Sequence, residues 1–183
     1  MFDFKPETKA QEVPFFDDVK SSDGWEGHTT GKNIDKLKQE ISVNLSLLGY
    51  AFTGCQDGKF GDRYGFQIHF AIKSPDGRML PSRLDIACLP INPRKRTRTR
   101  SRGRGVSDPR IDGTKKMALY MTAKAIKGMY FLNVLSPAFI PFMSLMLNSG
   151  NQTLGQMWIQ NGQLSPLLPP PSSDFEVVDG VVS

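Results

Sequence analysis

Cysteine and histidine are scarce in this chain, two of each in 183 residues, and each scarcity excludes something. Cys55 and Cys88, both in apolar strand-like surroundings, cannot build a disulfide framework; they suit a reducing compartment and a buried structural role. His28 lies in a polar segment and His69 on an alternating run, with no cysteine or acid at ligand spacing beside either, so neither a metal site nor a cofactor is expected. No apolar run reaches the roughly 18 residues of a membrane span, and the acidic, proline-containing start lacks a basic leader region. A cytoplasmic protein without membrane contact is expected.

Acid is missing where positive charge is densest. Between Asn92 and Gly105 stand seven cations, Arg94, Lys95, Arg96, Arg98, Arg100, Arg102 and Arg104, and no carboxylate. Arginines this close repel one another and cannot be buried, so they gain most along a phosphate backbone, where each neutralised phosphate releases counterions. Arginine also binds phosphate bidentately and stacks on bases, whereas lysine acts as a point charge. A solvated loop, a nuclear-localisation-like address and a membrane-surface patch are the plainer readings; the position of the run between two core elements favours nucleic acid. Charge is partitioned along the rest of the chain too: residues 1–26 carry net −4, residues 174–183 net −3, and the middle net +12, within an overall +5.

This length makes one domain with tails. Residues 1–31 read as an N-terminal arm, 32–164 as a single α+β domain containing a basic loop at 92–113, and 165–183 as a proline-rich linker and acidic tail. Ile34, Leu37, Ile41, Leu45 and Leu48 recur at helical spacing, with Asn33 to cap, Asp35 in the first turn and Gly49 as the stop. Tyr50 to Cys55 follows as a strand, then a glycine-rich connection from Gln56 to Gly65. Phe66, Ile68, Phe70 and Ile72 alternate with polar or small residues, the mark of a half-buried strand. Ser74-Pro75-Asp76-Gly77-Arg78 has turn chemistry, so Met79 to Leu89 is expected to return antiparallel, completing a three-stranded meander.

After the basic loop, Asp112 or Thr114 can cap a long helix over 115–133, with Ala118, Met121, Ala125, Met129 and Leu132 as its expected core side. Opposite them Lys116, Tyr120, Lys124, Lys127 and Phe131 fall within a sector of about 80°, cations interleaved with rings, the composition of a surface that holds phosphates and stacks bases. Lysines on an ordinary solvent face, with Tyr120 and Phe131 packed under a loop, give the alternative reading. Pro137 and Pro141 bracket a short apolar stretch, and Thr153-Leu154-Gly155-Gln156 has capping-box spacing for one of the C-terminal short helices. The tip that follows the prolines, S-S-D-F-E-V-V-D-G-V-V-S, is too short to fold alone; it suits docking on a protein partner or on the protein's own basic site, and equally a frayed end.

Catalytic constellations are sparse. Gly27 to Asn33 falls short of a phosphate loop in its glycine spacing and has Asn33 where a metal-binding hydroxyl belongs. Pro75-Asp76 followed by Asp85-Ile86-Ala87, with Glu40 on the first helix, resembles the acid layout of PD-(D/E)xK nucleases, but Ala87 stands where their lysine would be, so no catalytic residues are assigned.

The order of helix, three antiparallel strands, variable loop and a helix beginning Lys115-Lys116-Met117-Ala118 resembles single-strand annealing proteins of phage recombination and their eukaryotic relatives. The resemblance covers Phe66 to Ile72, the Asp76-Gly77 turn, the strand with Asp85, and Lys115 to Lys127. It implies a basic groove between sheet and helix that holds single-stranded DNA, and subunits in rings or filaments. The same order also resembles the double-stranded-RNA-binding domain, whose second helix starts with lysines that reach phosphates, although Leu119 replaces a third lysine here. Rings in the stripe favour a single strand, whose bases are free to stack. The expected protein is a non-catalytic, oligomeric binder of single-stranded DNA or RNA, with Arg94, Lys95, Arg96, Arg98, Arg100, Arg102, Arg104, Lys115, Lys116, Tyr120, Lys124, Lys127 and Phe131 as its contact residues.

Overall fold

The computed structural model describes residues 13–28, 30–73, 77–95, 108–136, 142, 145–148, 150–161 and 175–177, with the backbone alone for 158–159 and 175–177. In chain order these form a 3₁₀ turn (Ser21–Asp23), helix α1 (Ile34–Leu47), strands β1 (Ala51–Phe60), β2 (Arg63–Lys73) and β3 (Met79–Ala87), the long helix α2 (Pro109–Leu135), helix α3 (Leu154–Gln160) and strand β4 (Phe175–Val177). The class is α+β, in the expected order of helix, antiparallel meander and long helix.

Helix α1 forms where its pattern puts it. The Asn33 side chain accepts the Lys36 N–H at 2.8 Å, Asp35 sits in the positive first turn, and Gly49 at φ 79° ends the helix. Leu37, Ile41 and Leu45 are buried on one side. They meet the apolar face of β2, where alternation sends Phe66, Ile68, Phe70 and Ile72 inward, none more than 6 % exposed. Leu119, Ala123 and Ile126 of α2 complete this core, and Asn44 of α1 donates to the Ala123 carbonyl at 2.9 Å, tying the two helices together. Tyr50, Phe70 and Phe142 form an aromatic group at one end, with ring centroids 5.6 to 6.2 Å apart.

The glycine-rich stretch expected as a connection is mostly strand. β1 continues to Phe60 and β2 starts at Arg63, leaving Gly61 and Asp62 as the turn, and Gly58 faces Gly65 across the ladder. Glycine disfavours strand, but β1 is paired on both sides here, and that pairing overrides propensity. The second partner is β4: the acidic tip does not fold alone but adds to the β1 edge, Phe60 opposite Phe175 and Gly58 opposite Val177, giving the sheet order β3-β2-β1-β4. β3 stops at Ala87, short of the expected Leu89, and its Pro81 lies on an edge strand, where a missing N–H is tolerated. Met146 bridges to Ser82 along that edge.

Helix α2 departs most from expectation. Asp108, not Asp112 or Thr114, is its cap, accepting the Arg110 N–H at 3.0 Å with Pro109 in the first turn, so the basic loop ends before Asp108 and not at 113. Thr114 is instead buried and donates to the Leu89 carbonyl at 3.0 Å. The buried residues are Thr114, Met117, Leu119, Ala123 and Ile126, while Ala125 and Leu132 of the expected core side are exposed. Apolar residues occur all round this helix, so periodicity alone does not select the face that α1 covers. The capping box at α3 does form, Gln156 N–H to Thr153 Oγ1 at 3.2 Å and Thr153 N–H to Gln156 Oε1 at 2.9 Å.

Ser74 to Asp76, Pro137 and Pro141, the linker from Ser165 to Ser173, and Arg96 to Arg104 lie outside the described residues. Among the described residues no helix is long and apolar enough to cross a membrane. Cys55 and Cys88 are both free; burial pushes the first thiol up to about 11 and the second up to about 12.

Gly65 is required by space: a Cβ there would lie 2.5 Å from the Phe60 ring and 2.6 Å from the Ile86 carbonyl oxygen. Gly65→Ala is expected to lower the unfolding free energy by about 1–3 kcal/mol through overpacking, checked by urea denaturation. An unchanged urea midpoint would contradict this packing.

Candidate nucleic-acid interface

The chain on either side of the seven-cation run is pinned to the fold. Arg63 donates to the carbonyls of Cys88 at 2.9 Å and Ala87 at 3.2 Å, fixing the chain as it leaves β3. Further on, Arg110 of α2 donates to the carbonyls of Asn92 at 3.1 Å and Lys95 at 2.5 Å, and its guanidinium also holds Asp108 at 2.6 Å. One guanidinium therefore joins the outgoing end of the arm to its returning end. The hydrogen bond to Asp108 raises the Arg110 pKa and lowers that of Asp108, so both remain charged. Arg110 is not among the contact residues expected from sequence; Asp108-Pro109, a cap followed by a first-turn proline, is the signal that α2 begins here.

Of the arm itself, Arg94 and Lys95 are described, and both are exposed. The Arg94 N–H donates to Asn92 Oδ1 at 3.0 Å, which turns the chain outward. Arg96, Arg98, Arg100, Arg102 and Arg104 lie outside the described residues.

The expected stripe on α2 divides. Lys124, Lys127 and Phe131 are exposed, the last by 55 %. Lys116 is half-buried and pairs with Asp112 at 2.6 Å, one turn back. Because the buried row is Leu119, Ala123 and Ile126, the stripe lies about 90° round the helix from the core and flanks it, not opposite it. Tyr120, in the middle of the stripe, packs against the core and is covered by the N-terminal segment: a Cβ on Gly27 would lie 3.0 Å from Tyr120 Cβ, and Lys32 Nζ stands 5.8 Å from the ring centroid. The ring is thus partly buried, with packing contacts to the core and to the N-terminal segment.

Lys115 points away from the stripe, toward the sheet. It lies 3.3 Å from Asp57 of β1, while Lys38 of α1 reaches the other oxygen of that carboxylate at 2.6 Å. Lys59 lies 5.0 Å and Lys115 5.5 Å from the centroid of the Tyr64 ring. Three lysines from three elements thus gather at the junction of α1, α2 and the sheet, around one carboxylate and one aromatic ring. Lys38 and Lys59 could not be found from spacing, because only the fold brings them to Lys115.

The acidic N-terminal segment crosses the stripe side of α2, over Gly113, Tyr120 and Lys124. The Phe16 N–H donates to the Pro90 carbonyl at 2.8 Å, its ring fills the space left by Gly113, and it stacks on His28 at 4.9 Å. Asp17 accepts the Asn92 N–H at 3.0 Å and lies 3.4 Å from Arg110, Asp18 pairs with Lys95 at 2.5 Å, and Glu26 pairs with Lys124. The Lys95 hydrogen bond lowers the Asp18 pKa, and Glu26 raises that of Lys124.

The acids of the nuclease-like layout are engaged by cations. Glu40 holds Lys32 at 2.7 Å, and Asp85 holds Arg83 at 3.0 Å; Asp76 lies outside the described residues. Among the described residues, no group of three or more His, Cys, Asp or Glu side chains could hold a metal ion. His69 lies beside Arg83 on the sheet, and burial first, then that guanidinium, lowers its pKa.

Tyr120→Ala is expected to lower stability by about 2 kcal/mol, less than for a fully buried ring, read as a drop in thermal melting temperature. An unchanged melting temperature would mean that the ring is not held by packing and is free to stack on a base. Compared with family models, curated proteins and solved structures, the chain matches none.

Proposed function

We propose that this protein binds single-stranded nucleic acid without catalysing a reaction on it. The arm supplies most of the affinity, and the exposed flank of α2 with Lys124, Lys127 and Phe131 guides the strand. The lysine group of Lys38, Lys59 and Lys115 lies apart from this flank, toward the sheet, where Asp57 stands between Lys38 and Lys115. The observation that carries this reading is the closed root of the arm. Arg110 fixes both ends of a seven-cation segment beside a helix whose exposed flank continues the same charge. Like charges held together in this way are stabilised by a polyanion more than by water.

A single strand is preferred over a duplex because Phe131 is an exposed ring beside lysines, and unpaired bases can stack on it. The duplex-RNA comparison loses support from the start of α2 at Pro109, which puts Lys115 and Lys116 in the helix interior and not at its first turn. In the cell the reading is of a cytoplasmic accessory factor in DNA annealing or recombination, acting as a homo-oligomer.

Replacing Arg96, Arg98, Arg100 and Arg102 with Ala tests the arm. Affinity for single strands is expected to fall for all sequences alike, and the slope of log affinity against log salt to flatten by up to ~0.7 for each phosphate that the variant no longer neutralises. Fluorescence anisotropy across a salt series measures both, and an unchanged slope would remove the arm from the interface.

A further inference from the structure

The N-terminal segment places carboxylates on the cations that the proposed track would use. Its interactions fall into two kinds. Phe16 and Asp17 form an anchor: a backbone hydrogen bond to Pro90, a ring seated on Gly113, and an Asp17 carboxylate only 15 % exposed against Arg110 and the Asn92 N–H. Asp18 and Glu26 form the other kind. Asp18 is 42 % exposed against Lys95 at 56 %, and Glu26 is 39 % exposed against Lys124 at 58 %. Pairs this open to water are weak and exchange readily with other anions.

We infer that the segment from Asp18 to Glu26 is an anionic strap that occupies the phosphate track in the absence of ligand, and that a single-stranded nucleic acid displaces it from Lys95 and Lys124. The inference rests on the proposed single-strand binding and adds a regulation to it. The anchor holds the strap close to its cations, so the carboxylates compete at high effective concentration although each pair is weak. A phosphodiester reaching Lys95 or Lys124 releases its own condensed cation, but the carboxylate that it displaces regains cations from solution, so these two contacts add little to the salt dependence while the strap is present. Weak polyanions and short strands engaging the arm alone would leave the strap in place. A strand long enough to cover both the arm and α2 would lift it.

Asp18→Asn combined with Glu26→Gln tests this, with Asp35→Asn combined with Asp62→Asn, two exposed carboxylates outside the strap, as a control that removes equal charge without touching Lys95 or Lys124. Binding of labelled oligo(dT) is measured for both variants and the wild type across a salt series, with melting temperatures alongside. The strap variant is expected to bind about 2- to 30-fold more tightly at low salt, two exposed pairs having been removed. Its log–log salt slope should steepen by up to ~1.4, for two phosphate contacts whose cation release no freed carboxylate offsets. The control pair is expected to gain less at every salt concentration. If wild type binds and the strap variant binds equally, or the control gains as much, the strap inference fails while single-strand binding stands. Binding by neither wild type nor the strap variant overturns both. Hydrogen exchange on the full chain gives a second readout: backbone amides between residues 18 and 26 should exchange faster with saturating oligo(dT), and slower or unchanged exchange would overturn displacement.

Discussion

Positive charge concentrated in the middle of a chain opposes compaction, and the fold depends on how that repulsion is relieved. The carboxylates are spent one at a time at points where cations must come together. Asp57 stands between Lys38 and Lys115. Asp108 and Asp17 hold Arg110, and Asp112 holds Lys116. The acidic N-terminal segment brings its charges from far along the sequence to the root of the arm and to α2. At the two ends of the cationic run one arginine side chain joins the chain before it to the start of α2. The apolar core beneath is the β2 row with α1 and α2.

Parts of this fold are legible in the sequence because their causes are local. The cap, first turn, apolar period and glycine stop of α1 all lie within its own residues, and so does the capping box at Thr153 and Gln156. Alternation in β2 identifies its buried face for the same reason. Features that the sequence hides have distant causes. Strand character in the glycine-rich stretch comes from β2 on one side and β4 on the other, and β4 comes from the chain's acidic tip. The buried face of α2 differs from the expected one because Ala, Met, Leu and Ile occur all round it, and only packing against α1 selects Leu119, Ala123 and Ile126.

The candidate site divides along the same line. A dense run of arginine is visible as a charge pattern in the sequence alone, and Lys124, Lys127 and Phe131 are exposed as a helical wheel suggests. Tyr120 and Lys115 lie on the same wheel, yet one is covered by the N-terminal segment and the other faces the sheet. Lys38 and Lys59 carry no local mark. The pairing of Asp18 and Glu26 with the cations of the track joins residues far apart in sequence, so the opposite charges of the chain's start and middle are visible there without their relation. Electrostatic attraction predicts that such segments meet; the anchor at Phe16 and Asp17 decides where.

The central claim is that the positive track serves a single strand. A competition titration with single-stranded DNA, duplex DNA and duplex RNA of equal length, at two salt concentrations, tests it most directly. All three present phosphates, so attraction to charge alone would rank them by charge density and fade for each as salt rises. The single strand also offers unpaired bases to an exposed ring, a contribution that salt weakens far less. The account predicts that single-stranded DNA displaces both duplexes at both salt concentrations, by a wider margin at the higher one. Equal or tighter binding of either duplex at the higher salt would contradict it.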